Sequence, residues 1–184
     1  MKHILLQLVR YLTNGVIAHI PSYGIRRAWY EHVVGISIGR RTTLFMGLQV
    51  EVRGRPRTGR DGIVVGDHTV INAGCHLDGR GGLSIGDNVS ISPGVWILTD
   101  EHDINDPTFP EVFGPVRIED HAFIGARAMI LPGVTIGRAA VVGAGAVVTK
   151  TVAPFETVAG VPARRIGDRK CEPAYTLDYR PAFE

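Results

Sequence analysis

The sequence predicts an all-β solenoid, a parallel β-helix wound from six-residue units, on three observations. The first is periodicity. From Ile85 the chain reads IGDNVS, ISPGVW and ILTDEH over residues 85–102, and after a break IEDHAF, IGARAM, ILPGVT, IGRAAV, VGAGAV and VTKTVA over 118–153. An aliphatic residue opens every unit, and the fifth position is usually Val or Ala. The second is the rhythm of these positions, four residues and then two, which matches neither the 3.6-residue helix nor the two-residue strand. A short strand followed by a turn fits it. Three such sides close a triangular coil of about 18 residues whose opening aliphatics point inward. The third is composition. Glycine supplies 23 of 184 residues and aromatics only 7%, so turns are abundant and the core is aliphatic, while the lack of a three-residue glycine period excludes collagen.

The frame extends backward through IGRRTT, LFMGLQ and VEVRGR (38–55), then VGDHTV and INAGCH (65–76) and a stretched unit over 77–84. Coils begin at Ile38, Val65, Ile85, Ile118 and Ile136, spaced by 27, 20, 33 and 18 residues. The excess over a coil of about 18 marks insertions: an excursion through PRTGRDGI (56–63), two residues near 77–84, and a loop over 103–117 bearing DINDPTFPEVFGP. That loop should project from the solenoid, and loops on rigid scaffolds are where function concentrates. One coil cannot bury its own apolar face, so coils must stack and the ends of the stack need covers. Ile4, Leu5, Leu8, Val9, Leu12 and Val16 recur at helical spacing. They predict an amphipathic helix, ending near Gly15 or Pro21, that caps the stack or packs on a neighbouring subunit. The layout is a helical cap over 1–35, the β-helix over 36–162, and a C-terminal cap or tail over 163–184, with Tyr175, Tyr179 and Phe183 available to pack outside the coils.

Charge excludes more than it identifies. Twenty Lys and Arg against eighteen Asp and Glu give +2, with no basic block, so no nucleic-acid partner is expected. Two cysteines cannot build a disulfide framework and suit a reducing compartment. No apolar run approaches the roughly 18–20 residues of a spanning helix. A cytoplasmic protein is expected. Membrane association would be peripheral at most, at the inner face, drawing on Arg10, Arg26 and Arg27.

His102 ends the unit ILTDEH, at the mouth of the projecting loop. An imidazole there is partly neutral near pH 7, as a base for a weakly nucleophilic hydroxyl must be. Asp100, Glu101 and Asp103 crowd it, and one of them or a backbone carbonyl should orient the ring. His68 and His121 occupy turn positions and are expected to face solvent. His76 is ambiguous.

Four segments carry a family resemblance: INAGC (71–75), IGDNVSISPGVWILTDEHD (85–103), GPVRIEDHAFIGARAMILPGVTIG (114–137) and VVGAGAVVTKTVAPFETVAGVPARRI (141–166). Over about residues 60–167 the chain resembles the hexapeptide-repeat acyltransferases, especially the galactoside and maltose O-acetyltransferases and the exopolysaccharide or capsule acetyltransferases. The resemblance implies a left-handed parallel β-helix and acetyl-CoA as co-substrate, with no metal. It makes His102 the catalytic base and Asn72 the residue that holds the acceptor. Along the pantetheine arm it places Phe123, where relatives usually have tryptophan, and the main chain of Ala126 and Ala144. It puts Lys150, Arg164 and Arg165 towards the cofactor's phosphates. It also implies a homotrimer with active sites between subunits and a sugar, or a nucleotide- or lipid-linked saccharide, as acceptor. An antibiotic of the streptogramin or chloramphenicol type, or the amine of an amino sugar, is the alternative acceptor. A γ-type carbonic anhydrase needs converging histidines that this spacing does not offer, and a non-catalytic scaffold would not need His102 or the closing GVPAR.

Overall fold

Each opening aliphatic turns inward and meets its counterpart one coil away. The computed structural model describes residues 2–53 and 62–179. The first coil holds β1 (Ser37–Ile38), β2 (Thr43–Leu44) and β3 (Gln49–Glu51); the second β4 (Ile63–Val65), β5 (Val70–Ile71) and β6 (His76–Asp78); the third β7 (Leu83–Ile85), β8 (Ser90–Ile91) and β9 (Trp96–Ile97). A hairpin of β10 (Asp100–His102) and β11 (Glu111–Phe113) interrupts the winding. The fourth coil follows with β12 (Val116–Ile118), β13 (Phe123–Ile124) and β14 (Met129–Ile130), and the fifth with β15 (Thr135–Ile136), β16 (Val141–Val142) and β17 (Val147–Val148). β18 (Glu156–Ala159) and β19 (Arg164–Asp168) end the stack. Successive coils pair in parallel into three sheets: A (β1-β4-β7-β12-β15), B (β2-β5-β8-β13-β16, extended by β18 and β19) and C (β3-β6-β9-β14-β17).

The register is the one counted from the sequence. Ile38 pairs with Val65, Val65 with Ile85, Ile85 with Ile118 and Ile118 with Ile136. One unit departs from the count: Ile136 bridges Val152 rather than residue 154, so VTKTVA loses two residues at its turn. Inward side chains form ladders. Ile91, Ile97, Ile124, Ile130 and Ile136 are fully buried, with Val89, Val95, Ala122, Ala128, Ala140 and Ala146 at the fifth positions. At the corner between sheets A and B, the Asp67 N–H donates to the Asp87 carboxylate at 2.6 Å and the Asp87 N–H to Asp120 at 2.8 Å. The glycines before Asp67 and Asp87 permit that approach: a Cβ on Gly66 would lie 2.2 Å from Asp87 Oδ1 and 2.7 Å from the Gly86 backbone. The excursion over 56–63 falls, up to residue 61, outside the described residues, as does Phe183.

The N-terminal cap is more polar than its pattern suggests. Helix α1 (Lys2–Gly15) is followed by a short 3₁₀ turn (Ile17–His19), helix α2 (Tyr23–Trp29) and a wide turn (Tyr30–Val34). These elements satisfy the unpaired edge of all three sheets. Arg27 Nη2 donates to Ile38 O at 2.8 Å on sheet A, and the fully buried Arg26 donates to Leu44 O at 3.0 Å on sheet B. Asn14 makes both bonds a missing strand would make on sheet C: its Nδ2 donates to Val50 O and its Oδ1 accepts the Val50 N–H. Arg26 and Arg27 therefore face the first coil rather than a membrane, and Arg10 pairs with Glu51. The apolar stripe behaves differently from a plain cap. Ile4, Leu5 and Leu8 stay exposed beside this chain, and among the described side chains of the helix Thr13 is the buried one. No helix among the described residues is long and apolar enough to cross a membrane.

At the other end β19 folds back on β18 antiparallel, and residues 169–179 descend the A/B corner. Arg169 and Tyr175 OH donate to His121 O, the Leu177 N–H donates to Asn88 Oδ1, and the His68 ring bonds Leu177 O. His68 and His121 are thus half-covered by this segment rather than solvated.

Truncating a central ladder residue tests the core directly. Ile124→Ala should lower unfolding free energy by about 2–5 kcal/mol, read as a lower urea midpoint.

Candidate active site

The site residues divide between the two edges of one flat face, sheet C. Chain bonds stack the edge between sheets B and C in a column: Asn72 N–H to Ile91 O, Ser92 N–H to Ile124 O, Gly125 N–H to Val142 O and Gly143 N–H to Val158 O. Asn72, Ala126 and Ala144 lie on this edge, and Arg164 closes it, paired with Ala159 in the terminal hairpin. With coils about 4.8 Å apart, Asn72 and Ala144 are three steps, or about 14 Å, from each other. Among the described residues, the N–H groups of Ala126 and Ala144 donate to no protein acceptor, and a Cβ at neighbouring Gly145 would meet nothing within 4 Å. This ridge is open to a long, narrow ligand. Asn72 Nδ2 donates to Ile91 O at 2.8 Å, which aims its amide and leaves Oδ1 to accept.

His102 and Lys150 lie beyond the opposite edge, between sheets C and A. Within one chain the structure does not bring His102 to Asn72. Phe123 stands apart from both edges on the outer face of sheet B, in a shallow cavity of about 360 Å³ with Ser90, Val141, Arg169, Tyr175 and Leu177. Lys150, Arg164 and Arg165 are exposed, and Arg165 pairs with Asp168.

The hairpin fixes the state of His102. The chain leaves the solenoid after β9, and β10 pairs with β11 as Asp100 with Phe113, Glu101 with Val112 and His102 with Glu111. Between them Asp106 nucleates a tight turn, accepting the Thr108 N–H and hydroxyl at 2.8 and 2.7 Å. Those bonds hold its carboxyl below the usual range. Phe109 follows with a φ of 48°, a left-handed conformation that brings its ring and carbonyl to His102. The two rings stack at 4.3 Å and 3°. His102 Nδ1 lies 2.9 Å from Phe109 O. A carbonyl only accepts, so Nδ1 donates to it, and Nε2 is the ring nitrogen left for a substrate. The orienting group is therefore a backbone carbonyl. None of the three neighbouring acids takes this part: Asp103 caps the Asn105 N–H, and Asp100 turns away to Arg80 at 2.5 Å. Burial raises the Asp100 carboxyl, the neighbouring Asp78 and Glu111 raise it further, and Arg80 offsets this only in part. Arg53 lies over the Phe113 ring at 4.0 Å and pairs with Glu111, steadying the second strand. Sequence reasoning missed Arg53 and Arg80, which act across coils far apart in the chain.

With this geometry in place the relatives are informative. The family model for the hexapeptide repeat of succinyl-transferase matches residues 115–150. A solved hexapeptide-repeat acetyltransferase from Vibrio cholerae is 30% identical, with a TM-score of 0.74, and covers 90% of this chain and 93% of its own. Its complex with acetyl coenzyme A, at 29% identity, has a TM-score of 0.75 over 90% and 89% of the two chains. A maltose O-acetyltransferase from Clostridium difficile is 27% identical, with a TM-score of 0.59 over 88% and 83%. In sequence, the galactoside O-acetyltransferase of Escherichia coli is 38% identical over 104 residues, 53% of this chain and 51% of that protein. The chain spans about half the length of the curated relatives it matches. It belongs to the hexapeptide-repeat acetyltransferases, and its fold is their left-handed parallel β-helix.

Neither cysteine is placed for chemistry. Cys75 is fully buried, its thiol pushed up to about 11 by desolvation, and donates to Ser92 O at 3.3 Å. Cys171 is exposed on the outer strap. A disulfide reagent such as Ellman's should titrate one thiol in the native protein and two after denaturation. Fast modification of both would mean that Cys75 is accessible.

Proposed function

We propose that the protein is an acetyl-CoA-dependent O-acetyltransferase whose acceptor is a hydroxyl of a sugar or polysaccharide precursor. The observation that carries this reading is the His102 ring, held through Nδ1 by Phe109 O with Nε2 turned out. Nε2 takes the proton of the acceptor hydroxyl as that oxygen attacks the thioester carbonyl, and returns it to the departing thiolate. The acetyl thioester supplies an activated carbonyl, so a base and a positioned alcohol suffice, and no acetyl-enzyme is required. Asn72 Oδ1 accepts from the acceptor without competing for the transferred proton. The free amides of Ala126 and Ala144 offer hydrogen bonds to the pantetheine arm. Lys150, Arg164 and Arg165 face the phosphates. Relatives named as galactoside and maltose O-acetyltransferases support a sugar hydroxyl over an antibiotic.

The split of these residues between opposite edges supports assembly as a trimer. Three prisms with sheet C turned to a three-fold axis set the C/A edge of each against the B/C edge of the next. His102 and Lys150 of one copy then meet Asn72, Ala126 and Ala144 of its neighbour. Trp96 and Met129 on the inward face, around a cavity of about 390 Å³, supply apolar surface for that packing.

His102→Ala should lower kcat by about 10²–10⁴-fold, with little change in acetyl-CoA affinity. Asn72→Ala should weaken acceptor use. Co-refolding the two variants should restore activity, since mixed trimers regain intact His102–Asn72 sites. Undiminished turnover in folded His102→Ala would refute the mechanism.

Neutralising Lys150 or Arg164 should raise the acetyl-CoA KM, less so at high salt, where exposed charges are screened. Wild type should prefer acetyl-CoA to its 3′-dephospho analogue. Equal responses of wild type and variants to both cofactors would remove the 3′-phosphate contact.

A further inference from the structure

The two-residue insertion of the second coil and the hairpin insertion of the third meet at one point. A hairpin with three paired positions is marginal alone, so its direction must be fixed where it leaves the solenoid. That neck is Thr99, fully buried. Its carbonyl accepts the N–H of Gly114, where the chain re-enters, at 2.9 Å. Its N–H donates to Asp78 Oδ2 at 2.9 Å, and its hydroxyl accepts the Gly81 N–H at 2.8 Å. The segment DGRGG (78–82) forms the socket: a Cβ on Gly81 would lie 2.3 Å from Thr99 O. Arg80 grips the hairpin from this socket. Its Nε and Nη2 donate to the two oxygens of the fully buried Asp78 carboxylate at 2.9 and 3.3 Å, and Nη2 also reaches Asp100 Oδ1 at 2.5 Å.

Asp100 and His102 are two residues apart on β10, so their side chains leave the same face of the strand. A contact that fixes one sets the facing of the other. We propose that Arg80, held by Asp78, is a positioning residue for His102: by gripping Asp100 it sets the twist of β10 and keeps the imidazole on the Phe109 carbonyl. An ammonium is a point charge and cannot span both carboxylates as the planar guanidinium does. Arg80→Lys therefore resembles Arg80→Ala rather than rescuing it. The inference rests on His102 being the base, and the test separates the two.

Folded Arg80→Ala, Arg80→Lys and Asp100→Ala proteins should be compared by nitrogen-15 NMR of the histidine rings, with the His102 signal assigned by its loss in His102→Ala. In wild type the neutral ring should be the Nδ1–H tautomer. In the variants it should shift towards a mixture, with kcat down by about 10- to 100-fold and acetyl-CoA KM within about twofold. Asp100→Ala leaves the Asp78–Arg80 pair intact and carries the test if the Arg80 variants do not fold. An unchanged tautomer in the folded variants overturns the positioning role whatever the turnover. A shifted tautomer with undiminished turnover upholds it and overturns the assignment of His102 as base.

Discussion

Strict register between parallel coils is the constraint on which the rest of this protein depends. Because Ile85 lies over Val65 and under Ile118, every corner residue falls into a column with its counterparts one coil away. At the A/B corner of the second and third coils, Gly66 and Gly86 allow the close approach, and Asp87 and Asp120 accept the N–H from the coil below. The aliphatic ladder supplies burial; the corner bonds supply uniqueness. A slip of one residue would turn each inward aliphatic towards solvent, so register and core reinforce each other. The same columns make an edge of the prism a ruled surface, on which residues distant in sequence, such as Asn72 and Ala144, align for a single ligand.

A stack in perfect register has an unavoidable cost at its ends, where one coil's backbone groups face nothing. The cap answers with side chains rather than another strand. Arg26, Arg27 and Asn14 each address the open edge of a different sheet. Burying the Arg26 guanidinium lowers its proton affinity through desolvation, and its bonds to backbone carbonyls supply the compensation a buried charge needs. At the far end the β18–β19 hairpin and the strap over the A/B corner do the equivalent work with main chain.

What could be read from the sequence follows from this division. The coils, their starts and the projecting loop were legible because each rests on a local repeat. The place of His102 was legible because the period breaks immediately after it. The partner of its Nδ1 was not, since that depends on the left-handed backbone of Phe109, which no repeat encodes. Arg26 and Arg27 read as surface cations because nothing local marks an arginine that turns inward onto carbonyls. The shortened last unit was hidden as well: VTKTVA keeps the aliphatic spacing while Ile136 bridges Val152.

The polar socket at Asp78 shows why regular scaffolds carry irregular sites at insertions. Within the repeat, aliphatic ladders leave no direction for a projecting element; a hairpin could leave the corner at many angles with similar burial. A buried carboxylate removes that freedom, because its charge is tolerated only with its hydrogen bonds made. Asp78 accepts from Arg80 and from the Thr99 N–H. Burial alone would raise its carboxyl, yet these bonds more than offset that and hold it below the usual range. Such an arrangement adds little net stability over an apolar substitute. Its effect is geometric: only one path of the neck satisfies Asp78, and that path points β10, and with it His102, in a single direction.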